Sequence, residues 1–425
     1  MPVSIVVGAQ WGDEGKGRIV DFLASASDAV ARFGGGSNAG HTVRVGSKTY
    51  KLSIVPSGVV AGAKDCIIGP GTVVSPQQFA AEIETLEAAG VDTARVWLSD
   101  LAHLIMPYHV ALDRASEVER GPRALGTTGK GIGPAYVDRA ARSGLRAGDV
   151  RDLNRCRAVI EQRRAELARC EVEVDVAAEV GTLEGLAPKL LPHIRDTVAL
   201  LHRLLRDGGR VLAEGAQGSL LDINFGTYPH VTSSVTVAGG ACAGLGIGPT
   251  EVEHVIGVVK AYQTRVGAGP FPTELADDTG ERLRELGGEF GVVTGRPRRC
   301  GWLDLPALRY AVGINGLTHI ALTKLDVLDA FDEIRVCTEY RNRAEASLPF
   351  VLAGDPQPSY ATLAGWRQPI GGVRAWEDLP TGARAFIEFI ESHAGVPVSY
   401  VSVGPERSQI VVRPGAPTGL IPKPA

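Results

Sequence analysis

The sequence predicts a single large α/β domain on a mostly parallel central sheet, with helical and loop segments inserted into it. Three observations point there. The apolar run Val3-Ser4-Ile5-Val6-Val7 breaks into a glycine-rich loop and then a helix, with Ile19, Val20, Phe22 and Leu23 at helical spacing. Short apolar runs recur between helical stretches, as a parallel sheet with crossover helices requires. The 425 residues contain no internal repeat and no obvious linker, although that length would also allow two ordinary domains.

Each element has its own warrant. Val3–Val7 reads as a buried strand, and Ala29-Val30-Ala31-Arg32-Phe33 as a second one beside it, ending in the loop Gly34-Gly35-Gly36-Ser37-Asn38-Ala39-Gly40-His41-Thr42. A hairpin follows, where Thr49, Lys51 and Ser53 alternate with Tyr50, Leu52 and Ile54. Ser75-Pro76 is an N-cap with a first-turn proline, opening a helix that runs to Gly90. Arg95-Val96-Trp97-Leu98 is another short strand. From Asp152 to Asp175 the chain is dense in Arg and Glu around Val159, Ile160 and Leu167, which predicts a solvated helix and not a basic binding patch. Leu190 to Arg206 reads as one amphipathic helix stopped by Gly208-Gly209. Val211-Leu212-Ala213, Val255 to Val259 and Ile320-Ala321-Leu322 are further buried strands. The domain is expected to cover residues 1–425, with a helical insertion at about 100–205 and a Pro-rich tail at about 414–425. That tail, with Pro414, Pro417, Pro422 and Pro424, is expected to be loosely ordered.

Composition narrows the function. Apolar residues make up 44% of the chain and charged ones 22%, as in ordinary globular proteins. A net charge of −4 gives no electrostatic footprint for nucleic acid or an anionic membrane, so neither is an expected partner. The six cysteines, Cys66, Cys156, Cys170, Cys242, Cys300 and Cys337, contain no C-x-x-C pair and fit neither a zinc site nor a disulfide framework. No basic segment followed by an apolar one opens the chain, and Val235 to Gly248 is too weakly hydrophobic to span a bilayer. A cytoplasmic protein is the expectation. Glycine is abundant, 53 of 425 or about 12% against a usual value near 7%, and it clusters between periodic segments, where backbone must approach ligands closely.

The chemistry concentrates in loops. Gly8-Ala9-Gln10-Trp11-Gly12-Asp13-Glu14-Gly15-Lys16-Gly17 reads as a phosphate cradle, in which freed N–H groups and a helix N-terminus hold phosphate oxygens and Lys16 adds a point charge. It departs from an ordinary P-loop. Six residues, not four, separate Gly8 from Gly15, and Gly17 stands where a hydroxyl would bind Mg²⁺. The loop also contains Asp13 and Glu14, and a carboxylate among phosphates is costly unless it binds a metal or takes part in chemistry. The plainer reading is a tight turn with a solvated Asp-Glu pair. Thr323-Lys324-Leu325-Asp326 follows a strand, so Asp326 can accept from guanine N1–H and the 2-amino group, a pair adenine does not offer. The plainer reading is a helix cap.

Other clusters are weaker. His41 lies in a glycine cluster from which it can face the phosphates. Gly126-Thr127-Thr128-Gly129 offers hydroxyls and free N–H groups, as an anion nest would. Thr294-Gly295-Arg296-Pro297-Arg298-Arg299 gathers three arginines able to grip carboxylate or phosphate, or simply forms a solvated basic turn. Asp277-Asp278-Thr279-Gly280 fits a GTPase D-x-x-G pattern but looks like a helix start. Gly129-Lys130-Gly131-Ile132-Gly133 and Gly244-Leu245-Gly246-Ile247-Gly248 lack the spacing of a dinucleotide fingerprint.

Over nearly its whole length the chain resembles the adenylosuccinate synthetase family. The resemblance is carried by Gln10 to Gly17, Asn38 to Thr42, Gly126 to Tyr136, Glu214 to Gly218, Gly226 to Pro229, Arg265 to Glu274 and Thr323 to Asp326. It implies a P-loop NTPase-like fold and the GTP-dependent ligation of IMP and L-aspartate to adenylosuccinate, GDP and phosphate, the first committed step of AMP synthesis from IMP. It also implies one Mg²⁺ per site and a 6-phosphoryl-IMP intermediate.

By resemblance Asp13 is the base that takes the IMP N1 proton, His41 the acid on the transferring phosphate, and Gln217 the amide steadying O6. The Asp13 carboxylate and Gly40 carbonyl would hold the metal. GTP would be bound by Gly12, Asp13, Glu14, Gly15, Lys16, Gly17, Gly40, His41, Thr42 and Arg298, with Lys324, Leu325, Asp326, Ser402, Val403 and Gly404 around guanine. IMP would meet Asp13 to Lys16, Asn38, Ala39, Gly40, His41, Thr128, Gln217, Thr232 and Arg296, together with Arg142 reaching across a homodimer interface. Val292, Val293, Thr294, Gly295, Arg296, Pro297 and Arg298 would form the loop that closes on aspartate. The chain departs from the family at Pro297, which interrupts a usually continuous arginine run, and at Arg155 to Ala187, which is short and poorly matched. Two other readings stand beside this one: a GTP-binding regulatory switch, and an ATP-using ligase of purine metabolism, against which Asp326 argues.

Overall fold

Ten strands make the central sheet of the computed structural model: β1 (Val3–Gly8), β2 (Ala29–Arg32), β3 (Asp65–Ile68), β4 (Val96–Ser99), β5 (Ile194–Arg195), β6 (Val211–Glu214), β7 (Val252–Lys260), β8 (His319–Thr323), β9 (Val398–Ser402) and β10 (Ile410–Val412). Their order is β10-β9-β8-β7-β1-β6-β2-β3-β4-β5, and every neighbouring pair is parallel except β9 with β10. The structure describes residues 2–421 apart from 39, 46–47, 171, 292–294, 296, 342–351 and 353.

The alternation of side chains along β1 shows why the sheet is covered on both faces. Val3, Ile5 and Val7 point one way, into a cluster with Ala31, Ala213, Leu245, Leu305, Leu308 and Ile387. Val6 points the other way, where it meets Ile19, Val20 and Leu23 of α1 (Lys16–Ala24) together with Val30, Leu212 and Val258. Burying each of these aliphatic side chains contributes about 1.5–3 kcal/mol. A separate cluster, with Phe79, Ile83, Ile160, Leu167 and Leu183, gathers helices Pro76–Ala88, Leu153–Leu167 and Val176–Leu190.

Most expected elements form near their expected bounds. Ser75 caps its helix by accepting from the Gln78 N–H, and Pro76 is the first helical residue. Four expectations are corrected. The second strand is not beside the first, because β6 lies between β1 and β2. His41 is not in a loop but begins a hairpin strand, His41–Val45, paired with Lys48–Leu52. Leu190 to Arg206 is not one helix. One helix ends at Leu190, the chain passes Pro192 into edge strand β5, and a new helix, Thr197–Arg206, starts under an Asp196 cap that accepts from Ala199 N–H at 2.8 Å. Asp196 is the local reason, since a competent N-cap restarts a helix where proline has interrupted one. Finally, the tail as far as 421 is packed: Ala416 and Leu420 are buried beside Tyr400, and Arg210 Nη1 donates to the Gly419 carbonyl at 2.6 Å. Pro422 and Pro424 lie outside the described residues.

Candidate active site

The carboxyl ends of β1, β2, β6, β7, β8 and β9 share one edge of the sheet, and each releases a segment of the candidate site there. After β1 the loop winds through left-handed backbone at Gly12 (φ 86°), Asp13 (φ 59°) and Gly15 (φ 90°) before α1 begins. Glycine adopts this region freely and aspartate tolerates it.

The two loop carboxylates part company. Glu14 is fully buried: its Oε1 accepts from the Gln10 and Gly12 N–H groups at 3.1 and 2.9 Å, and its Oε2 from Lys16 Nζ at 2.6 Å. Its carbonyl accepts from Thr323 Oγ1 at 2.5 Å, tying the loop to the end of β8. Glu14 therefore needs no metal to offset its burial, because three donors already do so. Asp13 is more open, and its Oδ2 lies 2.9 Å from Arg298 Nε.

His41 packs against the loop, where a Cβ at Gly17 would stand 3.1 Å from its own Cβ. The glycine that replaces a metal-binding hydroxyl thus makes room for this hairpin. His41 Nε2 is 3.6 Å from Glu214 Oε1, and Glu214, buried at the end of β6, also accepts from Ser57 N–H and Oγ at 2.8 and 3.0 Å. Burial, reinforced by the cations Arg32 and Lys16, pushes the imidazole pKa down to about 3, so the ring is neutral. Gln217, in left-handed backbone at φ 56°, donates to Asn38 Oδ1 at 3.1 Å. The Gly34–Gly40 loop and the Gly215–Gly218 turn are thereby joined side chain to side chain.

At the guanine end, Lys324 has φ 60° and donates from Nζ to the Gly287 carbonyl at 2.6 Å. Leu325 is buried and Asp326 half-buried; burial raises the Asp326 pKa, against the pull of Lys324 and Arg18. On the next strand Ser402 and Val403 are buried, Val403 N–H donates to Gln409 at 2.9 Å, and any Cβ at Gly404 would collide with the Gln409 amide.

Other expected residues are exposed or half-buried. Thr128 is exposed, and the anion nest around it is already filled. Glu117 accepts from the N–H groups of Leu125, Gly126 and Thr127 at 3.1, 2.7 and 3.1 Å, while Thr127 Oγ1 donates to Asp113 at 2.9 Å. The expectation of free N–H groups there is corrected. Arg142 is exposed at φ 64°, capping helix Ile132–Ala141, and Thr232 is half-buried with its N–H on the Leu221 carbonyl at 2.9 Å. Gly40 is exposed. In the arginine loop Gly295 and Pro297 are exposed, and Phe290 bridges Pro297. Ala39, Val292, Val293, Thr294 and Arg296 lie outside the described residues, as does the Thr42 side chain. Asp277 caps helix Asp278–Gly287 through the N–H groups of Thr279 and Gly280, both at 3.1 Å, so the D-x-x-G tetrad is a helix start.

Behind the site lies a group that motif reading does not reach. Lys260, at the end of β7, is buried with its Nζ 2.8 Å from Glu289 Oε1, and Glu289 Oε2 accepts from Arg298 Nη1 at 2.6 Å. Burial alone would raise the Glu289 pKa, but Lys260 and Lys324 hold it down at about 2. The one sequence signal is a lysine closing an apolar strand, Val255-Ile256-Gly257-Val258-Val259-Lys260.

Among the described residues no group of three or more His, Cys, Asp or Glu side chains could hold a metal by itself, and no helix is long and apolar enough to cross a membrane. Among the described residues Cys66, Cys156, Cys242, Cys300 and Cys337 are free thiols.

Comparison with known proteins agrees with this geometry. The sequence profile of the adenylosuccinate synthetase family matches residues 5–411. An adenylosuccinate synthetase of Moorella thermoacetica is 50% identical over 422 residues, covering 97% of this chain and 99% of the relative, and one of Salinibacter ruber is 49% identical over 432 residues, covering 97% and 98%. The structure of the fully ligated adenylosuccinate synthetase from Plasmodium falciparum superposes with a TM-score of 0.92 at 38% identity, over 97% of this chain and all of that one. A cyanophage S-2L succinoaminodeoxyadenylate synthetase bound to dGMP and dATP, at 20% identity and a TM-score of 0.64, shares the fold. With a profile match and half-identical relatives spanning nearly its whole length, the chain belongs to the adenylosuccinate synthetase family.

Proposed function

We propose that the residues gathered at the carboxyl edge of the sheet carry out GTP-dependent ligation of IMP and L-aspartate in two steps, with Asp13, His41 and Gln217 at the reacting atoms. The ligase reaction itself follows from family membership, and a regulatory switch is not favoured. One observation carries the assignment of residues. The open carboxylate Asp13, the neutral His41 and the Gln217–Asn38 pair surround the same phosphate-type loop, while Lys324 and Asp326 follow the strand two places along the sheet, beyond β7.

In the first step Asp13 takes the N1 proton of IMP, and the electron pair moves to O6. O6 attacks the γ-phosphorus of GTP, the bond to the bridging oxygen breaks, and GDP leaves. Gln217 donates to O6 as its charge develops, and Lys16 and the N–H groups of Glu14, Gly15 and Gly17 hold phosphate oxygens. His41 donates to the transferring group, whose negative charge raises the imidazole pKa. In the second step the aspartate amine attacks C6, the C6–O6 bond breaks and phosphate departs, carrying away the proton that the amine loses, which succeeds because phosphate is a far better leaving group than hydroxide. Asp326 accepts from guanine N1–H and the 2-amino group, and Lys324 lies along the base.

The donor set at the loop suits Mg²⁺. It is made of hard oxygens, and the Asp13 carboxylate already faces a cation, Arg298. Asp13 and the Gly40 carbonyl would hold the ion, which supplies charge neutralisation on the phosphates when bound. Thr128, Thr232, Arg296 and Arg142 would hold IMP, with Arg142 acting across a homodimer, and residues 292–298 would receive aspartate. Free thiols suit a cytoplasmic enzyme. The test is an assay of IMP loss and adenylosuccinate formation with GTP, aspartate, IMP or Mg²⁺ omitted in turn. Product is expected only with all four, and GTP turnover that proceeds without IMP would contradict the reading.

A further inference from the structure

Glu289, in the buried network behind the site, has two separable jobs. Lys260 is almost wholly buried; its Nζ donates to Glu289 Oε1 at 2.8 Å and to Thr264 Oγ1 at 2.7 Å. A buried ammonium is costly without a paired anion, so Glu289 is structurally necessary to Lys260. Neutralisation, however, uses only one carboxylate oxygen. Oε2 instead accepts from Arg298 Nη1 at 2.6 Å, and the Nε edge of the same guanidinium lies 2.9 Å from Asp13.

The backbone repeats the attachment. Arg298 N–H donates to the Glu289 carbonyl at 3.0 Å, Arg284 Nε to the Arg298 carbonyl at 3.0 Å, and Phe290 bridges Pro297. Two residues upstream, the Gly287 carbonyl accepts from Lys324. The stretch from Gly287 to Glu289 therefore touches both the lysine beside the guanine-recognition carboxylate and the arginine beside the base. A planar guanidinium held by one edge on a buried carboxylate keeps its remaining donors in a fixed direction.

We propose that Glu289 is a positioning residue for the ligation: by fixing Arg298 it sets where that guanidinium stands relative to Asp13 and the reacting groups. This rests on the reading of Asp13 as the base. Glu289→Gln keeps the shape but weakens the grip on Arg298, and it also leaves Lys260 unpaired. The double variant Glu289→Gln/Lys260→Met removes that second defect.

The experiment measures kcat and KM for each substrate, together with Tm, for the wild type and both variants. A loss confined to the transition state lowers kcat and kcat/KM equally, and misplacing a reacting group by about 1 Å costs on the order of 10²-fold. We therefore expect Glu289→Gln to lower kcat by about that factor, with any change in KM confined to GTP and aspartate, the substrates expected at Arg298, and the KM for IMP held within about threefold. The double variant should recover Tm to within a few degrees of wild type and keep the low kcat. A double variant with kcat within about threefold of wild type would overturn the proposal, because Glu289 would then serve only to neutralise Lys260. If the wild type itself forms no adenylosuccinate from IMP, GTP and aspartate, the parent reading fails instead.

Discussion

Asp13 and Glu14 are neighbours in one loop, yet burial assigns them different chemistry. Glu14 is spent on the N–H groups of Gln10 and Gly12 and on Lys16, whereas Asp13 faces Arg298 and the open edge of the sheet. Asp13→Asn should therefore fold and fail to turn over. Loss of general base catalysis alone costs on the order of 10²–10⁴-fold in kcat, and retention of a tenth of wild-type kcat would be incompatible with the role. At the other end of the site, Asp326→Asn presents guanine's 2-amino group with a donor in place of an acceptor. Hydrogen bonds to a charged group are worth roughly 1.5–3 kcal/mol each, so kcat/KM for GTP should fall by about two decades or more, while use of XTP improves. Unchanged preference for GTP would reduce Asp326 to a helix residue. Asp13 stands out in the sequence because a carboxylate is unexpected in a phosphate loop, and Lys16 and Asp326 because each completes a motif that follows a strand. Glu289 and Lys260 do not, since they meet only through the fold, 29 residues apart in sequence.

Elements were legible where a period and a punctuating residue agreed. The helix at Pro76–Ala88 has both, a Ser75 cap with proline after it. Leu190 to Arg206 has helical spacing throughout, and there the competing signals, Pro192 and the Asp196 cap, outweigh it. The nest at Gly126 differs from its expectation for another reason: glycines supply N–H groups, but Glu117, on another element, already uses them. Capping also yields a pH prediction. Asp304 caps helix Leu305–Asn315 through the Ala307 N–H at 3.0 Å and accepts from Tyr340 at 2.6 Å, and burial raises its pKa to about 6. A carboxyl whose folded pKa exceeds its unfolded value stabilises fully below the unfolded value, and that contribution is lost as pH rises through the folded one. Stability should thus decline between about pH 4 and pH 6, by up to about 1.4 kcal/mol per pH unit. Asp304→Asn keeps an acceptor for the cap and should flatten that slope in urea unfolding measured across this range. A slope that persists in the variant would place its origin elsewhere.

For the whole molecule, the parallel sheet was foreseeable from its apolar runs, but strand order was not. Nothing local to Val211–Glu214 says that it inserts between β1 and β2, and that insertion is what brings Gln217 beside Asn38. Assembly belongs to this scale too. Arg142 is exposed on its own chain, as an arginine serving a partner's site should be. Inactive Arg142→Leu chains mixed with inactive Asp13→Asn chains should regain activity, because some heterodimers carry one site with both residues intact. No recovery after demonstrated subunit exchange would mean that Arg142 does not act in trans.

The central claim is that O6 of IMP leaves on phosphate after attacking GTP. IMP labelled with ¹⁸O at O6, turned over with GTP and aspartate, tests it most directly by mass spectrometry of the released phosphate. The account predicts one labelled oxygen in the phosphate for each adenylosuccinate formed. Unlabelled phosphate, with the label appearing in water, would contradict it.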